Sequence, residues 1–469
     1  MTSKSTTPST TTLLRGAFVL TMDECLGDLP VGDVLIEGDR IVAVAAHVDA
    51  PHDATVVEAQ GAIVCPGFVN AHMHTWQTNL RGVAADWTLL EYFKWVHKGL
   101  ATRYSPADIG ISTLCGALGQ LDVGTTTLGD WCHNNPTPAH TDAAVQALQA
   151  SGIRAVFFHG SPKPEPKPGE KHFSEVPHPR REIARLAERL SGEDQLVTLG
   201  MAILGPHYST IEVSRHDLKL AREFGLIASM HQGGGVGKTP GGWNTLIAEG
   251  LVGPNVNIVH GNDLGDAELE RFVRLGASFS VTPENEMTQG HGFPITGRLR
   301  ALGAAPSLGV DLESIVGSSM LSVARMALAC QRALDNAEHR RDHGGIPATS
   351  TVPVRDALRW ITSEGARALG LAERTGSLTP GKQADIVIVR PKRLGVAPMH
   401  DPYATLVLQC DSADIDSVMV AGRFLKREGR LSRGDVPELG SRLAASGHRI
   451  LAELGLTREW SPPSSAHAL

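Results

Sequence analysis

Eight short apolar runs recur between residues 62 and 311, and a turn and a more polar, helical stretch separate each run from the next. Repeated strand and helix units of this kind build parallel sheets, and eight of them in about 250 residues is the size of a (β/α)8 barrel. The runs are AIVCPGFVNAHMH (62–74), TTTLGDWC (125–132), IRAVFFHG (153–160), LVTLGMAILG (196–205), LIASMHQ (226–232), VNIVHG (256–261), ASFSVTP (277–283) and PSLGVD (306–311).

Short segments in which apolar and polar residues alternate lie on both sides of the barrel segment and predict strands at both chain ends. The C-terminal group of predicted strands includes TLVLQC (405–410). The prediction is therefore an α/β fold, a distorted (β/α)8 TIM barrel with a small β-sandwich domain built from both chain ends. The long crossovers 75–124 and 161–195 are candidate lids over the catalytic face. The expected divisions are a disordered tail (1–12), the first part of the sandwich (13–63), the barrel (64–375), the second part of the sandwich (376–432), and a C-terminal helix and tail (433–469).

Composition narrows the class of partner. Lys and Arg total 43 against 50 Asp and Glu, so a net charge of −7 offers no basic surface for nucleic acid or anionic lipid. We therefore expect a small-molecule substrate, with neither nucleic acid nor membrane as a partner.

Six scattered cysteines without a C-x-x-C pair argue against a disulfide framework and a cysteine zinc site. The N-terminus lacks the apolar run of a signal peptide, which predicts a cytoplasmic protein.

Histidines and one acid fall at the carboxyl ends of the apolar runs, where barrel enzymes carry their function. His72 and His74 are alternate residues of an extended strand, so both imidazoles can reach one cation. His231, His260 and Asp311 end the fifth, sixth and eighth runs. Imidazoles and a carboxylate suit Zn²⁺ or another first-row divalent ion with one position open for water.

The segments PGFVNAHMHTWQTNLRG, VHGNDL, SLGVD and GSLTPGKQADIVIV resemble the metal-dependent amidohydrolase superfamily, in its cytosine deaminase-like and triazine hydrolase-like (chlorohydrolase) branch. The similarity runs from about 13 to 432. It implies metal ligation by His72, His74, His231 and Asp311, and it makes His260 the residue that polarises the attacked group. The fourth run has no lysine that could bridge two metals, which favours one divalent ion, zinc first, with iron, cobalt or manganese as alternatives. Relatives are often oligomers, so a homo-oligomer is expected.

The chemical roles follow from the residue types. A bound ion lowers the pKa of its water, and Asp311 can accept the proton of that water and return it to a leaving group. His260 can stabilise the developing oxyanion, or it can orient the ligands or act as a fifth ligand.

Two positions depart from the family pattern. In deaminase-like members, a proton-shuttling Glu follows the fifth-strand histidine by three residues, and this chain has Gly234 there. Glu284 and Glu286, after the seventh run, are candidates for the missing acid, and Glu286 is the one expected to face the substrate. Either carboxylate could instead pair with a buried arginine or cap a loop.

Four further side chains are candidate substrate contacts, with core packing as the alternative: Trp76, Gln77, His207 and His291. The function favoured is a mononuclear metal-dependent amidohydrolase that attacks a non-peptide C–N bond, in an amide, urea, carbamate or amidine, of a small and partly aromatic molecule. The alternatives are a cyclodehydratase that uses the same site, a C–Cl or C–S hydrolase, and a non-catalytic scaffold, against which the survival of all five site residues argues.

Overall fold

The computed structural model describes residues 11–192 and 195–456. Most of the predicted tail 1–12 and the end of the C-terminal tail lie outside the described residues. A nine-stranded mixed sheet combines both parts of the chain that were predicted as a sandwich, and a parallel eight-stranded sheet lies between them in sequence. The strands are β1 (Thr11–Val19), β2 (Leu29–Glu37), β3 (Arg40–Ala45), β4 (Thr55–Glu58), β5 (Ile63–Pro66), β6 (Phe68–Met73), β7 (Thr125–Cys132), β8 (Arg154–Gly160), β9 (Val197–Ala202), β10 (Ala228–Gln232), β11 (Val256–His260), β12 (Ser278–Val281), β13 (Ser307–Leu308), β14 (Ile386–Val389), β15 (Ile415–Val420), β16 (Arg423–Arg427) and β17 (Arg430–Leu431).

Helices follow most barrel strands, as the repeated pattern predicts. The α-helices are α1 (Leu89–Tyr92), α2 (Pro106–Asp122), α3 (Pro138–Ser151), α4 (Arg180–Arg189), α5 (Gly205–Tyr208), α6 (Ile211–Glu223), α7 (Gly242–Ala248), α8 (Asp266–Arg274), α9 (Pro283–Gln289), α10 (Thr296–Ala301), α11 (Met320–His343), α12 (Val354–Trp360), α13 (Ser363–Ala368), α14 (Pro402–Ala404) and α15 (Val436–Ala452). Shorter 3-10 turns cover Thr75–Leu80, Leu100–Arg103, Phe173–Glu175 and Ser412–Asp414, and π-helical turns cover Phe93–His97 and Thr405–Gln409. None of the described helices is both long enough and apolar enough to cross a membrane.

The barrel strands run in sequence order from β6 to β13, which confirms the predicted fold class. The barrel closes where Met73 bridges Asp311 in parallel register. The Asp311 amide donates to the carbonyl of His72 at 3.0 Å, and the His74 amide donates to the carbonyl of Asp311 at 2.9 Å. Apolar side chains fill the barrel interior in a cluster that includes Trp131 and Phe158, so the interior is packed and the open space lies at its carboxyl end.

The mixed sheet has its own apolar core, which includes Leu14, Ile36 and Val64 from the N-terminal part and Ile386 and Met419 from the C-terminal part. β14 pairs antiparallel with β5, which joins the two parts of the chain into one sheet. Because β5 precedes the barrel in sequence and β14 follows it, this pairing holds the start and the end of the barrel segment next to each other.

The prediction of a strand at TLVLQC is wrong, because Thr405–Gln409 forms a π-helical turn. Leu406 and Val407 are fully buried, and the Arg325 guanidinium on α11 donates to the carbonyls of Val407 and Cys410. A short apolar run can be buried either as a strand or as a helical turn, so the pattern of apolar residues alone does not distinguish the two.

A buried ion pair joins the barrel to the mixed sheet. Arg154 on β8 donates to both carboxylate oxygens of Asp385 at 2.7 and 2.8 Å, and Asp385 also accepts from the amide of Ala421. We expect Arg154→Met to lower the free energy of unfolding by about 3–5 kcal/mol, because it leaves a buried carboxylate without its partner charge. Chemical denaturation measures the loss.

The matched control is Arg180→Met, which breaks the exposed pair between Arg180 and Glu223. Its unfolding midpoint should stay at the wild-type value, because exposed pairs contribute little. An equal loss in both variants would contradict a special role for the buried pair.

Candidate active site

Four side chains that could hold a metal ion meet at the seam that closes the barrel. They are His72, His74, His231 and Asp311, and their ligand atoms all lie within 4.8 Å of one another. His72 and His74 lie on or just after β6, His231 lies on β10, and Asp311 follows β13. We call these four residues the metal-ligand group.

Donor separations within the metal-ligand group suit a small divalent ion. The Nε2 atoms of His72 and His231 are 3.2 Å apart, and Asp311 Oδ1 lies 3.3 Å from His72 Nε2 and 3.2 Å from His74 Nε2. A tetrahedron with metal–nitrogen bonds of about 2.0–2.1 Å has edges of about 3.3 Å. The residues present therefore fit one zinc-sized ion.

The charge states also suit a metal. Burial lowers the pKa of His72 to about 4 and the pKa of His231 well below its usual range, so both imidazoles are neutral and offer lone pairs. Burial raises the pKa of Asp311, but the adjacent imidazoles of His72 and His74 outweigh it and hold that pKa well below its usual range. The group thus combines neutral nitrogen donors with one ionised carboxylate.

Neighbouring groups fix the orientation of the ligands. His74 Nδ1 donates to the carbonyl of Trp131 at 2.6 Å, which leaves the Nε2 lone pair for the metal-ligand group. Asp311 Oδ2 accepts from the side-chain amide of Asn285 at 2.6 Å, and Oδ1 is the oxygen that faces His72 and His74. Partners of this kind hold ligands in position before a metal binds.

Two of the predicted site residues have left-handed backbones. The φ angles of His260 and Asp311 are both +67°, a region that non-glycine residues rarely occupy. Strain of this kind persists only where the surrounding structure enforces it, and it concentrates at functional sites. At Asp311 the enforcing contacts are the two backbone hydrogen bonds that close the barrel.

Glu286 lies behind His260 and does not face the pocket, contrary to the expectation from sequence. Its Oε1 is 3.2 Å from His260 Nδ1, and the carboxylate also accepts from the amide of Thr282 and the side chain of Asn262. Burial lowers the pKa of His260, but the hydrogen bond to Glu286 and the charge of Asp311 raise it above its usual value. His260 Nε2 in turn lies 3.7 Å from Asp311 Oδ2.

A narrow pocket opens above the metal-ligand group. Both long crossovers contribute to it, as their candidate role as lids predicts. Its walls include His74, Leu89, Tyr92, Phe93, His97, His133, Lys163, Tyr208, His231, His260, Gln289, His291, Asp311 and Leu312. Sequence reasoning missed His97, His133 and Lys163. The polar residues HNNP and SPKPEPKPGEK, which directly follow the second and third runs, could have indicated His133 and Lys163, whereas no such signal marks His97.

Of the four candidate substrate contacts, only His291 lines this pocket. Trp76 is fully buried, and its indole N–H donates to His133 Nδ1 at 3.2 Å. Gln77 is also buried and donates to the Tyr92 hydroxyl at 2.6 Å, while His207 contacts Gln232. These residues support the pocket wall from behind, which is the packing alternative that the sequence left open.

No carboxylate replaces the family's missing acid in the described pocket wall. Gly234 has a φ of +96°, and a Cβ there would lie 2.5 Å from Leu89 Cδ2, so this loop excludes a larger residue without rearrangement. Glu284 is partly exposed on α9 and lies outside the wall. Asp311 is therefore the one acid among the described lining residues.

Comparison with known proteins gives a consistent assignment. The profile of the amidohydrolase family matches residues 63–425. The chain is 28% identical over 435 residues to a 5-methylthioadenosine/S-adenosylhomocysteine deaminase of Pelotomaculum thermopropionicum, covering 88% of this chain and 92% of that protein. It is 27% identical over 421 residues to a 5'-deoxyadenosine deaminase of Methanothermobacter thermautotrophicus, covering 86% and 91%.

Solved structures share the fold. An adenosine deaminase from Xanthomonas campestris with bound zinc superposes with a TM-score of 0.79 at 23% identity, covering 94% of this chain and 98% of that one. The atrazine chlorohydrolase TrzN from Arthrobacter aurescens TC1, complexed with zinc, gives a TM-score of 0.81 at 21% identity, covering 93% and 100%. The resemblance seen in the sequence is confirmed: the chain belongs to the amidohydrolase family and is a metal-dependent hydrolase of carbon–nitrogen bonds other than peptide bonds.

Proposed function

We propose that this chain is a mononuclear amidohydrolase that cleaves an amide, urea or carbamate C–N bond in a small, partly aromatic molecule. The observation that carries the proposal is the convergence of neutral imidazoles and an ionised Asp311 in the wall of one pocket. The deaminase relatives, whose printed substrates are nucleoside derivatives, support a small-molecule substrate.

One ion, held by the metal-ligand group, fits the described residues. The fourth barrel strand, Val197–Ala202, reads VTLGMA and has no lysine that could bridge a second ion. Zinc is the proposed ion because its preferred donors and bond lengths match the group and because similar folds hold zinc. Iron, cobalt and manganese are the alternatives that metal analysis distinguishes.

The residues around the ion divide the proton chemistry between them. When bound, a divalent ion supplies a water of lowered pKa and polarises the attacked group. Asp311 accepts the proton from the attacking water and passes it to the leaving nitrogen. His260 donates a hydrogen bond from Nε2 to the developing oxyanion, while Glu286 holds its Nδ1.

The acids available favour amide-like bonds over ring deamination. Hydrolytic deamination of an N-heterocycle needs an acid to protonate the ring in addition to the base that activates water. Asp311 is the one carboxylate among the described pocket residues, and Gly234 supplies none. An amide, urea or carbamate needs only the single transfer that Asp311 provides. Product mass separates the outcomes, since hydrolysis adds water and cyclodehydration removes it.

The proposal also includes a cytoplasmic location and a homo-oligomeric assembly. The location rests on analogy with the deaminase relatives. The assembly rests on analogy with relatives, and light scattering on purified protein would test it.

Metal content tests the metal-ligand group. We expect about one equivalent of zinc per chain, and His72→Ala should weaken metal affinity at least about 100-fold, because even groups that only support a ligand contribute 10- to 100-fold. His207→Ala is the matched control, because His207 is a buried imidazole outside the group. Zinc lost equally from both variants would contradict the assignment.

Glu286 and Glu284 on α9 allow a second matched comparison. Glu286→Gln should lower kcat by about 10- to 100-fold at unchanged zinc content, because His260 loses the carboxylate that orients it. Glu284→Gln should stay within about twofold of wild type, since Glu284 lies outside the pocket wall. A larger loss in Glu284→Gln would show that Glu284 supplies the missing acid after all.

A further inference from the structure

Lys163 is a buried cation in the wall of the active-site pocket. It is 5% exposed and is the third residue after β8. Aromatic rings surround its ammonium group, with Nζ at 5.1 Å from the ring centre of Tyr208, 5.6 Å from that of Phe93 and 5.9 Å from that of Trp131. The faces of such rings stabilise a cation only in part.

The ammonium group has no counter-charge in the described part of the chain. No Asp or Glu oxygen there comes within 4.0 Å of Lys163, and the neighbouring Glu165 pairs with Lys98 instead. Burial lowers the pKa of Lys163 to about 8, and the ammonium form still dominates at neutral pH. Lysines are almost never buried without a partner, so the missing partner is the feature that needs an explanation.

A second hydrogen-bond donor lies at the same end of the pocket. Because the Trp76 indole can only donate, His133 accepts at Nδ1 and carries its hydrogen on Nε2. That hydrogen points to His97 Nε2 at 3.1 Å, which leaves the His97 hydrogen on Nδ1. Burial and the nearby Lys163 hold the pKa of His97 well below its usual range, so the ring is neutral.

The pocket is therefore asymmetric in charge. Its one described carboxylate, Asp311, belongs to the metal-ligand group, and the Lys163 end offers donors and aromatic surface without an acceptor of matching charge. A single cation beside the aromatic side chains of Phe93 and Tyr208 suits a monoanion on a flat body. A phosphate monoester carries a second negative charge, and the single ammonium group of Lys163 would not balance it.

We propose that the substrate of this enzyme carries a carboxylate that pairs with the Lys163 ammonium, while its scissile C–N bond lies over the metal-ligand group. The planar body of the substrate packs between these ends against Phe93 and Tyr208. This inference rests on the proposed function, because it places the scissile bond at the proposed metal site. It also excludes cationic substrates, which Lys163 repels.

Two probes of the same shape test the charge preference. They are 4-carbamoylbenzoate, which has an amide and a carboxylate, and terephthalamide, in which a neutral amide replaces the carboxylate. Calorimetric titration of the zinc-loaded protein should show at least about tenfold tighter binding of the carboxylate, the gain that a charge-assisted hydrogen bond typically gives. Lys163→Met should remove this preference.

Lys167→Met is the matched control, because Lys167 is an exposed lysine of the same crossover. It should keep the full preference. Zinc content and circular dichroism confirm that each variant is folded, and Lys163→Gln replaces Lys163→Met if the latter does not fold. A preference that survives loss of the Lys163 charge would mean that the metal holds the carboxylate, and it would overturn the proposal. Equal affinities in the wild type, or binding of neither probe at millimolar concentration, would overturn it too.

The two proposals fail in different ways. If the proposed function is wrong, zinc is absent or no amide, urea or carbamate is hydrolysed, whereas the difference in affinity between the probes does not require turnover. If only the carboxylate proposal is wrong, zinc binding and hydrolysis of neutral amides persist while the preference is absent.

Discussion

The backbone exchange between Asp311 and the end of β6 is the contact on which the rest of the site depends. The amide and carbonyl of Asp311 bond to His72 and His74, and these two hydrogen bonds close the eight-stranded barrel. The same contact brings three of the four proposed metal ligands together. It also holds Asp311 in a left-handed conformation that an unsupported aspartate rarely adopts. Barrel closure and assembly of the site are therefore one structural event.

Burial then gives the site its chemistry. Burial keeps the His72 and His231 imidazoles neutral, and the adjacent imidazoles of His72 and His74 keep Asp311 ionised although it is buried. Elsewhere in the pocket wall, burial of Lys163 leaves a positive charge with no carboxylate partner among the described residues. A substrate that satisfies both ends must present a polarisable C–N bond to one and negative charge to the other.

The sequence predicted the parts that depend on local periodicity. Strand ends can be recognised from apolar runs, so His72, His74, His231 and Asp311 were identified together, and the family resemblance agreed. The orientation of Glu286 could not be predicted, because it depends on where the short helix α9 begins after β12. Lys163 and His97 lie in irregular crossovers whose path no periodicity specifies. The turn at 405–409 could not be distinguished from a strand, because packing against α11, which is distant in sequence, determines its conformation.

We infer that the barrel seam forms a mononuclear metal centre. Anomalous diffraction at the zinc absorption edge from crystals of the metal-loaded protein tests it most directly. We expect one anomalous peak per chain, bonded to His72, His74, His231 and Asp311 at about 2.0–2.2 Å. A second peak of equal height in the pocket, or a peak bonded elsewhere with this group empty, would contradict it.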